Sequence, residues 1–525
     1  MAVQDRIPIV VGVTGHRAVR DKDRDALFEA VTRELTVLRA RCPHSPIVML
    51  NSLAEGADLL CADAAKALGI PLIVALPTDA ASYTKDFSEE EKQRFDAHCA
   101  AAESVFVVSP IEREPTDPDM DFRYRQAGIY VAEHSHILLA LWDGDGAQKD
   151  GCGTAAAVSF ALEGRFSPHG RLPVRSGRNT QVIHIVCPRA EQNEPAGTVH
   201  MLGNANAVSD VLKRTDAFNA SVSDVPAPAP FCDAKDPVLL RTAKLYAAAD
   251  VLSLSAAKTY RRVLAWLALL GTALTVAFLL YDEAELYGLI LAVGAMLALS
   301  FGLHRYAVRS DCHRRYLEYR VLAESLRVQS FLRYAGSPTE VFSLLPLTQR
   351  TETGWVLCAL SALAAGAPPK ETHPVRIWIE EQQVYHERAY RKTARQQKRS
   401  DRVVRIASIL SVLLYLSALL FELFSGVLGF PVLLRTGDPN LYRAILKLAL
   451  GSLSAATLFI ANYYGKQSLS RKVSDHARMA AFYGSVLDRI HENDPDLLAV
   501  LAREELIENG HWYAYQSDNT PDVSI

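Results

Sequence analysis

Four apolar stretches, each long enough to cross a bilayer, constrain this chain more than any other feature. They are Val263–Tyr281, Leu286–Leu303, Ile406–Leu423 and Ala444–Tyr464. A helix of about nineteen residues runs about 28 Å, close to the thickness of a hydrocarbon core. Buried core helices are the competing reading, but they rarely come in pairs flanked by dense Arg and Lys. Here Arg261 and Arg262 precede the first stretch, and Arg305, Arg309, Arg314 and Arg315 follow the second. A basic cluster running from Arg388 to Arg405 precedes the third, and Lys466, Arg471 and Lys472 follow the fourth. The turn Asp282-Glu283-Ala284-Glu285 is acidic, and the loop around Arg435–Asn440 is poor in basic residues. Positive charge collects on the cytoplasmic side, so both termini and the middle segment are expected there. The basic cluster reads as a juxtamembrane anchor rather than a nucleic-acid site.

Outside these spans the chain is an ordinary folding polymer. With 525 residues, 49% hydrophobic, it has ample apolar surface to bury, which excludes disorder. Lys+Arg 56 against Asp+Glu 59 leaves a formal charge of −3, so no bulk positive field points to nucleic acid. Eight cysteines, none in a CxxC pair, fit reduced cytosolic thiols. The opening residues hold only a short apolar run, interrupted by Gly and charge, which does not read as a signal peptide.

Residues 1–200 alternate between short apolar runs and helical patterns. The strand candidates are Ile7–Val13, Ile47–Asn51, Pro71–Leu76, Val105–Val108, His136–Trp142 and Gln181–Val186. Each is bounded by Gly, Pro or polar residues, as buried parallel strands are. The pattern predicts an α/β, Rossmann-like, doubly wound domain with its site at the strand carboxyl ends. Between 201 and 237 the periodicity fades and Pro and Ala accumulate, which reads as a linker. Beyond it an all-α membrane domain with four transmembrane helices is expected, in modules 238–370 and 371–525. Each module repeats one pattern: an amphipathic helix, two spans, and a second amphipathic helix.

Three loops in the first domain carry the candidate chemistry. Gly12-Val13-Thr14-Gly15-His16-Arg17 leaves the first strand. Its glycines allow a tight turn, its amides can face an anion, and Arg17 suits a phosphate. Ser52-Leu53-Ala54-Glu55-Gly56-Ala57-Asp58 ends a second strand and opens a helix. Trp142-Asp143-Gly144, with Gly151-Cys152-Gly153-Thr154 at another helix start, forms the third. Each loop alone is a common feature. Three on one sheet edge favour a nucleotide or phosphate pocket, with Tyr83, Tyr124 and Arg125 at its rim. No metal site is expected, because His134-Ser135-His136 has no further ligand at metal spacing.

These three loops resemble the SLOG superfamily of Rossmann-like domains, which includes the LOG phosphoribohydrolases. The resemblance covers about the first 190 residues. The two-span units, with Trp378-Ile379-Glu380-Glu381-Gln382-Gln383-Val384-Tyr385, are similar to the SLATT family of bacterial membrane effectors. Together the resemblances imply a sensor of a nucleotide or nucleotide-derived second messenger, with no other cofactor. They also imply a homo-oligomeric, pore-forming or membrane-disrupting effector of the bacterial inner membrane, acting in antiphage or conflict defence. One departure bears on catalysis. Hydrolytic LOG enzymes carry an acidic residue three positions after the Thr of their Gly-Thr motif. Here Thr154 is followed by Ala155, Ala156 and Ala157. Glu55 or Asp58 stands near enough to substitute, and each equally fits a capping role at the helix opening at Gly56. Binding without catalysis is therefore the expectation, and a membrane-tethered phosphoribohydrolase is the alternative.

Overall fold

The computed structural model of the protein describes residues 5–112, 114–146, 151–163, 180–190, 194–222, 226, 231, 234–424, 439–490 and 494–518. The chain divides into two compact units. The first comprises Met1–Asp250, Arg320–Pro374 and Asn493–Gly510, and the second Val251–Tyr319, Val375–Glu492 and His511–Ile525. This division cuts across the expected modules, because 320–374 belongs to the first unit.

Seven strands form the sheet of the first unit: β1 (Ile9–Gly15), β2 (Ile47–Asn51), β3 (Leu72–Leu76), β4 (Ser104–Val107), β5 (Ile137–Trp142), β6 (Gln181–Val186) and β7 (Val199–Gly203). Their order is β4-β3-β2-β1-β5-β6-β7, and every neighbouring pair is parallel except β6 with β7. The connecting helices are α1 (Arg24–Arg41), α2 (Ala57–Ala67), α3 (Ala80–Tyr83), α4 (Glu89–Ala101), α5 (Met120–His134), α6 (Thr154–Glu163) and α7 (Ala205–Ser221). Apolar residues of the inner strands alternate between two cores. Ile9, Val11 and Val13 join Leu27 and Leu35 of α1, Leu59 of α2 and Phe95 of α4 on one face. Val10, Leu138 and Ala140 join Ile129 of α5 and Phe160 of α6 on the other. Burial on both faces is why these strands read as unbroken apolar runs. After β4 the chain returns to place β5 beside β1, and a crevice opens between the carboxyl ends of those two strands.

The six expected strands are all present, with ends shifted by two residues or fewer. The seventh is new. β7 is the antiparallel edge strand, only partly buried, and it lacks the apolar run that marks the others. The stretch 201–237, read as a linker, instead carries the end of β7 and all of α7. Asn219 of α7 is buried and brackets the start of β1, accepting from Ile7 N at 2.9 Å and donating to Ile7 O at 2.8 Å. Most of the Pro-Ala run that follows α7 lies outside the described residues.

The remaining helices are α8 (Pro237–Glu283), α9 (Leu289–Ser310), α10 (Cys312–Tyr334), α11 (Val341–Leu344), α12 (Leu347–Glu352), α13 (Gly354–Ala364), α14 (Arg376–Glu422), α15 (Pro439–Gly465), α16 (Leu469–Leu487) and α17 (Pro495–Ser517). Although α13 is strongly apolar, it belongs to the first unit, where Ala362 and Ala365 join the sheet core. Tyr130 of α5 anchors the following loop, accepting from Gly366 N at 3.0 Å.

The second unit is helical, and four of its helices are long and apolar enough to cross a membrane. Their apolar side chains stand outward, as with Leu291 at 79% exposed and Leu458 at 69%. Such surface is costly in water and ordinary in lipid. The repeat is visible in the backbone. Each half runs a 47-residue helix, a span, and a break into a basic helix. The break falls on a residue with positive φ in both halves, Asp311 at 52° and Ser468 at 50°. Arg314 and Arg315 follow the first at the same offsets as Arg471 and Lys472 follow the second. Within the second unit two ion pairs stand at the loop ends of the spans: Arg443 donates to Glu422 at 2.7 Å, and Lys447 to Glu283 at 3.1 Å. Arg435 lies outside the described residues.

Candidate ligand-binding site

A cavity of about 520 Å³ occupies the crevice at the carboxyl ends of β1 and β5. Thr14, Gly15, His16 and Arg17 line it from the β1 loop, Ser52 and Asp58 from the β2 loop, and Trp142, Gly153 and Thr154 from the region after β5. Tyr83 and Tyr124 complete the wall. The three loops therefore meet on one sheet edge, and the starts of α2 and α6 meet there with them. A helix start carries a partial positive charge, which at α6 favours an anion in the cavity, whereas the Ala57 N–H at the start of α2 is already given to His16 O.

Like Arg189, Arg17 is an exposed cation of the site. Its guanidinium lies 5.2 Å from the centroid of the Tyr124 ring, and no salt bridge holds it among the described residues. Stacking on the aromatic face and a side-chain hydrogen bond with Tyr124 restrain the guanidinium, which carries further donors beyond that one bond. The loop beneath it admits no alternative to glycine at position 56. That residue has φ +78°, and a Cβ would stand 2.0 Å from the Arg17 carbonyl oxygen. Ala57 N then donates to His16 O at 3.1 Å, which ties the two loops together.

His16 serves as an acceptor. Its Nε2 receives the Asp143 backbone N–H at 3.0 Å, which requires that nitrogen to be unprotonated. Burial lowers its pKa further than the nearby Asp143 carboxylate raises it, so the 3.2 Å contact with Asp143 Oδ1 is not an ion pair. The ionic partner of Asp143 is Arg189, donating at 2.7 Å. Burial alone would raise the Asp143 carboxyl, but Arg189 and the Asp145 N–H hold it below the usual range.

Asp58 is fully buried in the cavity wall, and that burial pushes its carboxyl up to about 7 despite the Ala54 N–H and Arg17. Trp142 is also buried, and its indole nitrogen has no hydrogen-bond partner among the described residues. Both are polar groups suited to a bound polar molecule.

Six expected residues stand outside the cavity lining. Gly12 sits within β1, where a Cβ would meet Ser135 Oγ at 2.2 Å, so its role is helix–strand packing. Glu55 turns to α4 and accepts from Ser88 N at 3.1 Å. Gly56 shapes the loop from behind. Arg125 pairs with Glu112 at 2.9 Å and donates to Gly151 O at 3.2 Å, so both residues brace the rim. Asp143 acts through His16 and Arg189. Sequence reasoning missed Arg189, Asp121 and Asp145 on the lining. Arg189 follows β6 as Arg17 follows β1, so the strand-end criterion applied to β6 finds it. Cys152 also lines the cavity, but burial and its hydrogen bond with Asp121 push the thiol up rather than down. His134 and His136 are structural: His134 Nε2 lies 3.0 Å from Glu340 Oε1, and His136 Nδ1 accepts from Val10 N at 3.1 Å.

The fold and site define an α/β domain of Rossmann-like topology joined to helices of membrane-spanning length. No protein-family model matches the chain, and no curated protein matches it.

Proposed function

We propose that this protein is a bacterial membrane effector that senses a nucleotide or nucleotide-derived second messenger, as its SLOG-like and SLATT-like patterns imply. The observation that carries this reading is the polarised crevice at the β1/β5 switch, with Arg17 held over Tyr124 at its mouth. A phosphate fits the glycine loops and Arg17, and a base or sugar fits the aromatic and buried polar wall. The same chain carries four helices of spanning length. Ligand binding must favour one arrangement of the protein over another to change the membrane state. The response is a pore or local bilayer disruption in the inner membrane, with both termini cytoplasmic, in antiphage or conflict defence.

The hydrolase reading rests on Asp58, a buried carboxyl held near neutrality in the cavity wall, as general acid–base groups are. Against it, Ala157, three positions after Thr154 where hydrolytic LOG enzymes carry an acidic residue, lines the cavity without a carboxylate. Incubating the full-length protein with a panel of labelled nucleotides separates the two. Tight retention of unchanged nucleotide supports the sensor, and release of free base replaces it with the enzyme.

A further inference from the structure

The second unit contains a separate cavity of about 430 Å³, formed where the basic helices gather at the ends of the spans. Arg261, Arg388, Lys392, Lys466, Lys472 and His476 line it, and among the described residues no carboxylate does. These residues come from α8, α14 and α16 and from the turn after α15. Gathering several cations at one place opposes folding unless something offsets their repulsion. Elsewhere in the unit the offset is local: Arg391 pairs with Glu387, and Arg478 with Asp475. Arg388, Lys392 and Lys472 have no such pair among the described residues. Burial pushes the Lys472 amine down to about 8, and Arg261 adds to the shift.

We propose that this cavity binds a phosphate-bearing anion, at a site distinct from the crevice of the α/β domain. Placement argues for a lipid. Leu264, at the start of the first apolar stretch, lines the cavity, and Lys466 directly follows the end of α15. The cavity thus lies at the polar ends of the spans, the level at which headgroups sit. Basic pockets between spanning helices hold anionic headgroups by charge-assisted hydrogen bonds. A free polyphosphate offers the same oxygens and is the second source of this chemistry. Tyr260 and Tyr385 also line the wall, and tyrosine is enriched at the headgroup level of membranes.

The test uses the purified full-length protein in neutral detergent. Short-chain phosphatidylglycerol, short-chain phosphatidylcholine and inorganic pyrophosphate are titrated separately. Bound ligand is counted by native mass spectrometry, and affinity is followed by thermal denaturation. Phosphatidylglycerol should bind in preference to phosphatidylcholine, and K392Q/K472Q should weaken it about tenfold. K392R/K472R should keep the binding, and R388Q gives an independent reading if the double variant folds poorly. Pyrophosphate binding with the same variant pattern, and no lipid selectivity, assigns the site to a soluble phosphate. Absence of binding by both probes, or binding indifferent to the glutamine substitutions, overturns the proposal. Nucleotide binding at Arg17 is measured in the same preparations, so failure at one site is distinguishable from failure at the other.

Discussion

Arg17 is where residue-scale chemistry is most exposed to test. It is restrained by Tyr124 but free of any salt bridge among the described residues, so its removal takes away ligand contacts while sparing the core. Arg17→Ala should reduce nucleotide affinity by about 1.5–3 kcal/mol, the range for a lost charged hydrogen bond. Equilibrium binding checks this, with the denaturation midpoint unchanged as the control. Asp58 makes a different prediction. Its folded carboxyl titrates near 7, well above the usual carboxylate range, so the folded state holds a proton that the unfolded chain releases. Its contribution to stability is complete at pH values below the unfolded pKa and is lost as pH rises through about 7. Asp58→Asn should therefore flatten this part of the pH–stability curve and raise stability at pH 8 relative to the parent. Denaturant titrations across that interval decide it, and an unchanged slope would count against a buried proton. The sequence showed which loops meet but not which side chains turn inward. Glu55 and Arg125 are both loop candidates in the sequence, yet Ser88 and Glu112 hold them away from the cavity lining. Side-chain partners distant in sequence leave no local signal.

At the scale of elements, legibility followed burial. β1, β2, β3 and β5 are buried on both faces and announce themselves as apolar runs. β7 and α7 were hidden because an edge strand and a half-exposed helix show weak patterns beside a Pro-Ala run. Spans are the opposite extreme, because lipid demands apolar residues around the whole helix. What hydropathy does not show is how spans meet. The spans contain small and hydroxyl residues, among them Gly271, Thr272, Thr275, Ser408 and Ser411, a pattern that fits close helix approach and equally fits packing alone. The structure brings Gly271 of α8 against Phe459 of α15, where a Cβ would stand 2.5 Å from the ring. The hydroxyls of Thr272, Thr275 and Ser411 donate to carbonyls of their own helix. Gly271→Ala should cost about 1–3 kcal/mol through overpacking. Phe459→Ala in the same background should remove most of that penalty, because the ring is what the new methyl meets. Thermal denaturation of the four combinations in detergent measures the coupling, and additive effects would show that the two helices do not meet there.

On the scale of the whole molecule, the chain passes between its two compact units at 250/251, 319/320, 374/375, 492/493 and 510/511. The proposed sensing function needs the two units to be coupled. Loop charge predicts the orientation: a Cys at Asp282 should be labelled from outside intact cells and one at Ala394 spared, and the reverse pattern would overturn the proposed topology. Coupling itself is a prediction about membranes. Four spans leave little room for an aqueous path within one subunit, so a pore requires several copies around a closed symmetry axis. The full-length protein should therefore run as a homo-oligomer in mild detergent. In dye-loaded liposomes it should release dye only when the nucleotide that binds the crevice is present. Arg17→Ala should shift the concentration for half-maximal release upward by about tenfold or more, following the affinity lost. Its release at saturating nucleotide should match the parent, because the substitution leaves the spans untouched. A leak indifferent to nucleotide would make the helices a passive anchor or a constitutive pore. A bound nucleotide with sealed liposomes would separate the crevice from the membrane altogether and defeat the effector model.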